Sequence, residues 1–564
     1  MTASRQPRAT TWATLGLGIG VTASISVLPW DLSAIDSPAA LARSWARFAE
    51  FLSAFGTPDL SADTLTTAAR LMLDTLSTAL LGVTLGLLLA YPLALGACRA
   101  IAIGEDPPRW PWHPFRRLAL EACRLSLDVL RGVPDFAWAL VLANFTGIGT
   151  PTGVLAIAIS VAGMLGKILS EQWDHQDPGL YASLRSTGAG PLQTFLYGLQ
   201  PMASRSMLSF LLMRAECAIR NSSVIGVIAG GGLGAGLWDA FKDSRYDEVV
   251  TLLLAMLVLT AGADVIANFL RYQLRVDPNH PRAAGNRSPA ASTRRRALGV
   301  GICLALVVGS VAWQWPALQN LAADLDRLEA DYAVDFASRL LWSPDLTAAG
   351  VAAHESVVPL AVALLTTVAG VLLASALSYP GSIAFQVHSD RFLGEYLSWP
   401  ARCQRWFAVI ATRGLGLLWR GIPEVAWVLI LGAFCRQGLL AGVVAVALHS
   451  AGVLLRVFVE TVDNVPYRRL EQVSGARRAQ VFAYAALPAA WPDWKAYAFF
   501  QFEVNLRMGI VLGMVGAGGL GEAFDGNLRY FRLERASTFL WTMVLLTVLV
   551  DRLSRHLQLR RSRC

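Results

Sequence analysis

Long apolar runs alternate with short polar stretches along the whole chain, without the strict apolar/polar alternation of a strand. Hydrophobic runs and their basic flanks predict helices near 12 to 30, 71 to 97, 119 to 145, 151 to 170, 206 to 229 and 248 to 270. Six more are predicted near 298 to 315, 356 to 384, 407 to 434, 439 to 459, 496 to 516 and 536 to 553. Runs such as 71 to 97 and 356 to 384 exceed the roughly 20 apolar residues a helix needs to cross a hydrocarbon core. Their Leu, Ala, Val and Gly content argues against a β-barrel. The expectation is an all-α polytopic membrane protein with about twelve transmembrane helices.

The chain also repeats itself. Arg131-Gly-Val-Pro-Asp-Phe-Ala-Trp138 matches Arg420-Gly-Ile-Pro-Glu-Val-Ala-Trp427 at a separation of 289 residues. Glu216, Arg220, Gly226 and Gly231-Gly-Leu-Gly234 match Glu503, Arg507, Gly513 and Gly518-Gly-Leu-Gly521 at a separation of 287. Apolar composition alone would not align charges with charges, so this is an internal duplication. Six helices per copy is an even number, so both copies enter the membrane in the same orientation, unlike an inverted repeat. The division reads as a first unit at 1–275, a cytoplasmic linker at 276–297 rich in Pro, Arg, Asn and Ser, and a second unit at 298–564.

Composition narrows the function classes. Hydrophobic residues make up 54% of the chain and charged residues 16%, with a net charge of +8. The excess Lys and Arg sit in short loops, which is a topology signal rather than a nucleic-acid surface. With both termini cytoplasmic, the basic stretches 98 to 118, 171 to 205 and 271 to 297 fall inside. The seven scattered cysteines form no C-x-x-C pair and no disulfide framework. Arg5 and Arg8 precede an apolar run as in a signal peptide, but the same arrangement follows Arg294 to Arg296 in mid-chain, so both read as membrane anchors.

One loop in each copy suggests the machine to which the chain belongs. Gly188 is followed thirteen residues later by Pro201, and Gly475 by Pro488 of a Leu487-Pro488 pair at the same spacing. This resembles the "EAA" loop of ABC importer permeases, which docks on the ATP-hydrolysing subunit. The resemblance implies the type I importer permease fold and assigns Leu184, Arg185, Thr187, Gly188, Pro201, Leu470, Ser474, Gly475, Leu487 and Pro488 to ATPase coupling. Ala182 and Arg469 stand where that family often has Glu, and Gln200 replaces the Leu before the first proline. A closer similarity, to phosphonate importer permeases and their phosphite and phosphate relatives, rests on the Arg-Gly-x-Pro-(Asp/Glu)-x-x-Trp motif. Gly163-Met-Leu-Gly-Lys167, Leu184-Arg-Ser-Thr-Gly-Ala189 and Val515-Gly-Ala-Gly-Gly-Leu-Gly521 support it. It implies a transport subunit in a bacterial inner membrane, not an enzyme. It further implies a homodimeric ATPase carrying ATP and Mg, a periplasmic or lipid-anchored solute-binding protein, no cofactor on this chain and no nucleic acid.

The remaining motifs each have a plainer alternative. Neither glycine-rich segment carries the Lys-Ser or Lys-Thr of a phosphate loop. Gly231, Gly232, Gly234, Gly518, Gly519 and Gly521 therefore read as packing or gating glycines beside the path. Arg131 with Asp135, and Arg420 with Glu424, fall on one helical face if Pro134 and Pro423 leave the helix intact. Glu216 with Arg220, and Glu503 with Arg507, have the same spacing. These eight residues are candidates for the translocation path, either as structural ion pairs or with the arginines as donors to an oxyanion. His449 reads as a hydrogen-bonded interior residue, and no metal spacing or catalytic cluster appears. The outer stretches 31 to 65 and 316 to 352 are expected to fold as short helices that meet the binding protein. An ion-coupled transporter would need no ATPase dock and would more commonly show inverted repeats.

Overall fold

The computed structural model describes residues 6–31, 33, 36–102, 113–177, 179, 183–184, 186–227, 231–274, 289–326, 329–387, 398–435, 438–465 and 477–559. Its main helices are α1 (Gln6–Val27), α2 (Pro38–Ala54), α3 (Ala62–Ala97), α4 (His113–Gly132), α5 (Asp135–Thr146), α6 (Thr150–Asp174), α7 (Gln200–Ile225), α8 (Gly232–Lys242) and α9 (Tyr246–Leu274). Then follow α10 (Pro289–Asp326), α11 (Ala330–Trp342), α12 (Val357–Gly381), α13 (Trp399–Gly421), α14 (Glu424–Cys435), α15 (Leu439–Asn464), α16 (Leu487–Leu512), α17 (Leu520–Arg529) and α18 (Leu533–Leu559). No strand occurs among the described residues.

Seven helices among the described residues are long and apolar enough to cross a membrane, and α13 with α14 makes an eighth span if this pair, bent by 97°, is one crossing. The other expected spans are more polar or broken. Helix α7 carries Arg214, Glu216 and Arg220, and α16 carries Asp493, Lys495, Glu503 and Arg507. The single helices expected at 119–145 and 407–434 are each two helices, because Pro134 and Pro423 interrupt them. The stretches 31 to 65 and 316 to 352 do contain short helices, α2 and α11, while α10 runs on through Pro316 and also begins inside the stretch read as linker.

The chain divides into two compact units, residues 53–338, and residues 1–52 together with 339–564. Sequence repeats and spatial units are therefore cut at different places. Helix α10, which opens the second repeat, belongs with the first repeat's core, and α1 belongs with the second's.

In the 53–338 unit, α3 lies along α6 through a stripe of small residues. A Cβ on Gly82 would stand 2.7 Å from Cβ of Ile157, and one on Gly86 would stand 2.9 Å from the Ala158 carbonyl oxygen. Helix α10 is held to this pair by polar contacts. Gln314 donates to Ser77 Oγ at 2.7 Å and accepts from Thr150 Oγ1 at 2.7 Å, while the Trp313 indole donates to Asp74 at 2.8 Å.

In the other unit, α12 packs on α15 through Gly370, which faces Ser450 and Ala451. Leu28, just beyond α1, is buried with Ala361, Val362 and Val428.

Candidate coupling and translocation site

The loop glycine behaves as its residue type requires. Gly188 has φ +85°, in the left-handed region open to glycine, and so turns the chain ahead of the helical run from Pro191. Leu184 accepts from Thr187 Oγ1 at 2.7 Å on the near side of this turn. Arg185, Leu470, Ser474 and Gly475 lie outside the described residues.

Each loop proline stands at the second position of the helix that follows, Pro201 in α7 and Pro488 in α16. Pro201 follows a wide turn at Phe195–Leu199 in a continuous helical run, and Pro488 follows the equivalent turn at Phe482–Ala486. Proline has no N–H to donate back along the helix. The wide turn absorbs this, with Gln200 N–H donating to the Phe195 carbonyl and Leu487 N–H to that of Phe482, five residues back. Both turns are anchored from below. Phe195 is buried edge-on to Trp173 at 4.9 Å, and Phe482 edge-on to Phe385 at 5.4 Å. The departure at Gln200 also has a reason: its Oε1 accepts from the Trp173 indole at 3.0 Å, whereas Val462 occupies the Trp173 position of the second copy.

The Arg-Gly-x-Pro motif is a broken helix with a built-in cap. The carbonyls at the end of α4 and α13 lose their helical partners at the break. Trp138 Nε1 donates to the Leu130 carbonyl at 3.3 Å, and Trp427 Nε1 donates to that of Trp419 at 3.1 Å. Gly163 and Gly452 let the next helix approach this break: a Cβ there would stand 2.5 Å from Arg131 N and 2.7 Å from Arg420 N.

The break also overturns the expected pairing along one face. Arg131 pairs with Asp128 at 3.3 Å, and Lys167 with the same carboxylate at 3.2 Å. Asp135 instead accepts from Ser160 Oγ and Asn221 Nδ2, both at 2.7 Å. In the second copy Glu424 is buried opposite His449 Nε2 at 3.1 Å, and His449 Nδ1 lies 3.2 Å from the Ile422 carbonyl. Two oxygens therefore face the two ring nitrogens, one from the Glu424 carboxylate and one from the backbone. His449 stands 289 residues after Ser160, so the two copies solve the same carboxylate's burial with different chemistry.

The charges on the fifth helix of each copy do pair. Glu216 lies 3.8 Å from Arg220 and also 3.6 Å from Arg271, while Glu503 lies 3.0 Å from Arg507. All four side chains of the repeated pairs are 11 to 14% exposed, sheltered enough that each charge needs its partner.

The glycine segments pack backbone on backbone. A Cβ on Gly234 would stand 1.9 Å from the Ser223 carbonyl oxygen, and one on Gly521 would stand 1.9 Å from that of Ile510. Gly231, Gly232, Gly518 and Gly519 all have φ between 70° and 84° and form the turns into α8 and α17. Gly232 comes close to Thr75, whose Oγ1 accepts from Leu233 N–H at 2.9 Å.

One repeated constellation escaped the sequence reading. Asp174 accepts from Arg99 N–H at 2.8 Å and pairs with Arg124 at 3.0 Å, while Arg124 Nε donates to the Ala97 carbonyl at 3.1 Å. Asp463 accepts from Ser382 Oγ at 2.5 Å and Ala384 N–H at 3.1 Å, pairs with Arg413 at 2.8 Å, and Arg413 Nε donates to the Gly381 carbonyl at 2.9 Å. Each aspartate thus closes the N-terminus of the short helix after α3 or α12, and each arginine caps the long helix before it. The signal was available, because both Asp174 with Asp463 and Arg124 with Arg413 obey the 289-residue separation.

Comparison with known proteins agrees with the duplicated architecture. The family described as "Binding-protein-dependent transport system inner membrane component" matches twice, at residues 115–276 and 400–563. The phosphate-import permease protein of Mycolicibacterium smegmatis is 28% identical over 500 residues, covering 86% of this chain and 84% of that protein. A phosphite transport system permease protein of Stutzerimonas stutzeri is 28% identical over 202 residues, 36% of this chain and 69% of that one. A protein of Escherichia coli (strain K12) named for a cryptic phosphonate transport system permease is 32% identical over 118 residues, 21% of this chain and 97% of that one. No solved structure matches. With two family matches that together span more than half of its length, this multi-pass membrane protein belongs to the binding-protein-dependent transport system inner membrane components.

Proposed function

We propose that this chain is the transmembrane permease subunit of an ATP-driven importer that moves phosphonate or a related small phosphorus oxyanion, such as phosphite, hypophosphite or phosphate, into the cytoplasm. The observation that carries the reading is similarity along 86% of the chain to a protein named as a phosphate-import permease. Fusion of two permease units in one polypeptide lets one chain serve where two subunits would pair. The termini lie in the cytoplasm, two copies of an ATPase with ATP and Mg dock at the Gly188 and Gly475 loops, and a periplasmic or lipid-anchored binding protein delivers the solute. Alternating access follows ATPase closure, with the wide turns at Phe195 and Phe482 passing the movement to α7 and α16.

The charged residues at the breaks and on the fifth helices are sheltered and paired, which supports a structural role for the carboxylates. The arginines offer guanidinium donors to a passing oxyanion when that pairing exchanges. The test is uptake of labelled phosphate, phosphite and methylphosphonate by cells that lack their own importers and express this chain with its ATPase and binding protein. Uptake of at least one, lost when the ATPase is made hydrolysis-defective, is expected. Uptake that persists without ATP hydrolysis would sink the proposal.

A further inference from the structure

The two copies present the same turn with different surfaces. Counting by the 287-residue separation, Leu192, Leu196 and Tyr197 of the first correspond to Ala479, Ala483 and Tyr484 of the second. All six are exposed. Leu192 is 64%, Leu196 49%, Tyr197 76% and Tyr484 85% exposed. The buried neighbours Phe195 and Phe482 fix each turn from below, so the exposed face is held in place rather than free to fold inward.

The polar neighbours differ as well. Arg477 is exposed in the second copy at the position of Gly190. Arg478 is buried and donates to the carbonyls of Phe385 and Gln386 at 3.1 and 3.3 Å, so Arg477 is the cation that faces outward here. The first surface is thus two leucines and a tyrosine, and the second a tyrosine, two alanines and an arginine.

We infer that the ATPase is held unequally: the first copy's turn is the tighter, apolar dock through Leu192, Leu196 and Tyr197, and the second is a weaker dock that relies on Tyr484 and Arg477. The inference rests on the ATP-driven reading proposed above. A clustered set of exposed apolar side chains on a fixed element is the kind of surface a partner covers, and a central tyrosine is a common binding anchor. Apolar contact is insensitive to salt, while an exposed arginine's contribution is screened by it.

The experiment uses the full chain in nanodiscs with a co-expressed ABC ATPase, identified by its Walker A lysine and its nucleotide hydrolysis, and reads ATPase retention against salt. The variant L192A/L196A gives the first turn the second's two alanines. It is expected to weaken retention by about tenfold or more, since the two leucines carry most of the apolar area of this face. Y197A should cost more than Y484A, and R477A should weaken retention only at low salt. The converse variant A479L/A483L should strengthen retention, which guards against misreading a folding defect as a lost dock. Equal losses from the two turns, or a larger loss from Y484A, would overturn the inference and leave the importer reading intact. Unchanged retention in L192A/L196A with lower thermal stability in the bilayer would assign the leucines to lipid and overturn it too. A chain that never retains the ATPase would remove the importer reading itself.

Discussion

Gly521→Ala is the most direct test of how the glycine segment works. The added methyl group would sit 1.9 Å from the Ile510 carbonyl oxygen, 3.0 Å from its carbon and 3.1 Å from Met514 N. Even a close C–H···O contact keeps carbon and oxygen about 3.3 Å apart, so the start of α17 would have to move by well over an ångström. The obstacle is backbone on α16, so no side-chain rotation relieves it. Overpacking of this kind costs typically about 1 to 3 kcal/mol, and the upper end is expected here. The same helix supplies a control, because nothing lies within 4 Å of a Cβ at Gly526. Gly526→Ala should be neutral or stabilising by up to about 1 kcal/mol from helix propensity. Purified protein followed by thermal unfolding with size-exclusion detection should show a clear loss for the first variant and none for the second. Equal thermal stability of Gly521→Ala and wild type would refute the backbone-contact account.

Three further outcomes are expected. Arg507→Ala should lower the amount of assembled protein, because it strips the Glu503 carboxylate of a partner at 3.0 Å, and Glu503→Gln alongside should restore it, read by membrane yield; an unchanged yield in the single variant would argue that the pair is not structural. His449→Phe should cost about 1 to 3 kcal/mol by leaving the buried Glu424 without its nitrogen partner, and His449→Gln should cost less, both measured as thermal stability. Beside the start of α18, Asp345 accepts from Thr347 N–H and Oγ1 and from Arg535; the Thr347 hydroxyl first, then its N–H, then Arg535 hold the carboxyl below its ordinary value. Its folded pKa is lowered, so its contribution is complete above about pH 4 and is lost as pH falls through the folded pKa. Asp345→Asn should accordingly flatten the stability profile on the acid side only.

Much of this molecule was legible before any fold was known. Span-length apolar runs and basic loops are local composition, and the duplication emerged because charged residues fell on charged residues at a constant separation. The loop glycine was legible because a left-handed turn selects for glycine, and Gly188 has that conformation. The break at Pro134 and Pro423 was visible as a possibility, but its result was not. Whether Arg131 pairs with Asp135 depends on where the chain goes after the proline, and the structure sends Asp135 to Ser160 and Asn221 instead.

The sequence by itself determined the helical membrane class, the two copies and the positions of their motifs, because hydropathy, charge bias and repeat spacing are properties of short stretches. Tertiary structure alone decided which helices share a unit. Helices α1 and α10 are apolar on most faces, and in a lipid environment hydropathy does not distinguish one apolar neighbour from another. The choice came from small-residue contacts and a few polar bonds such as Gln314 to Ser77 and Thr150. It was likewise the close approach of helices that turned Trp138 and Trp427 into caps, Gln200 into a partner for Trp173, and Asp174 and Asp463 into paired braces.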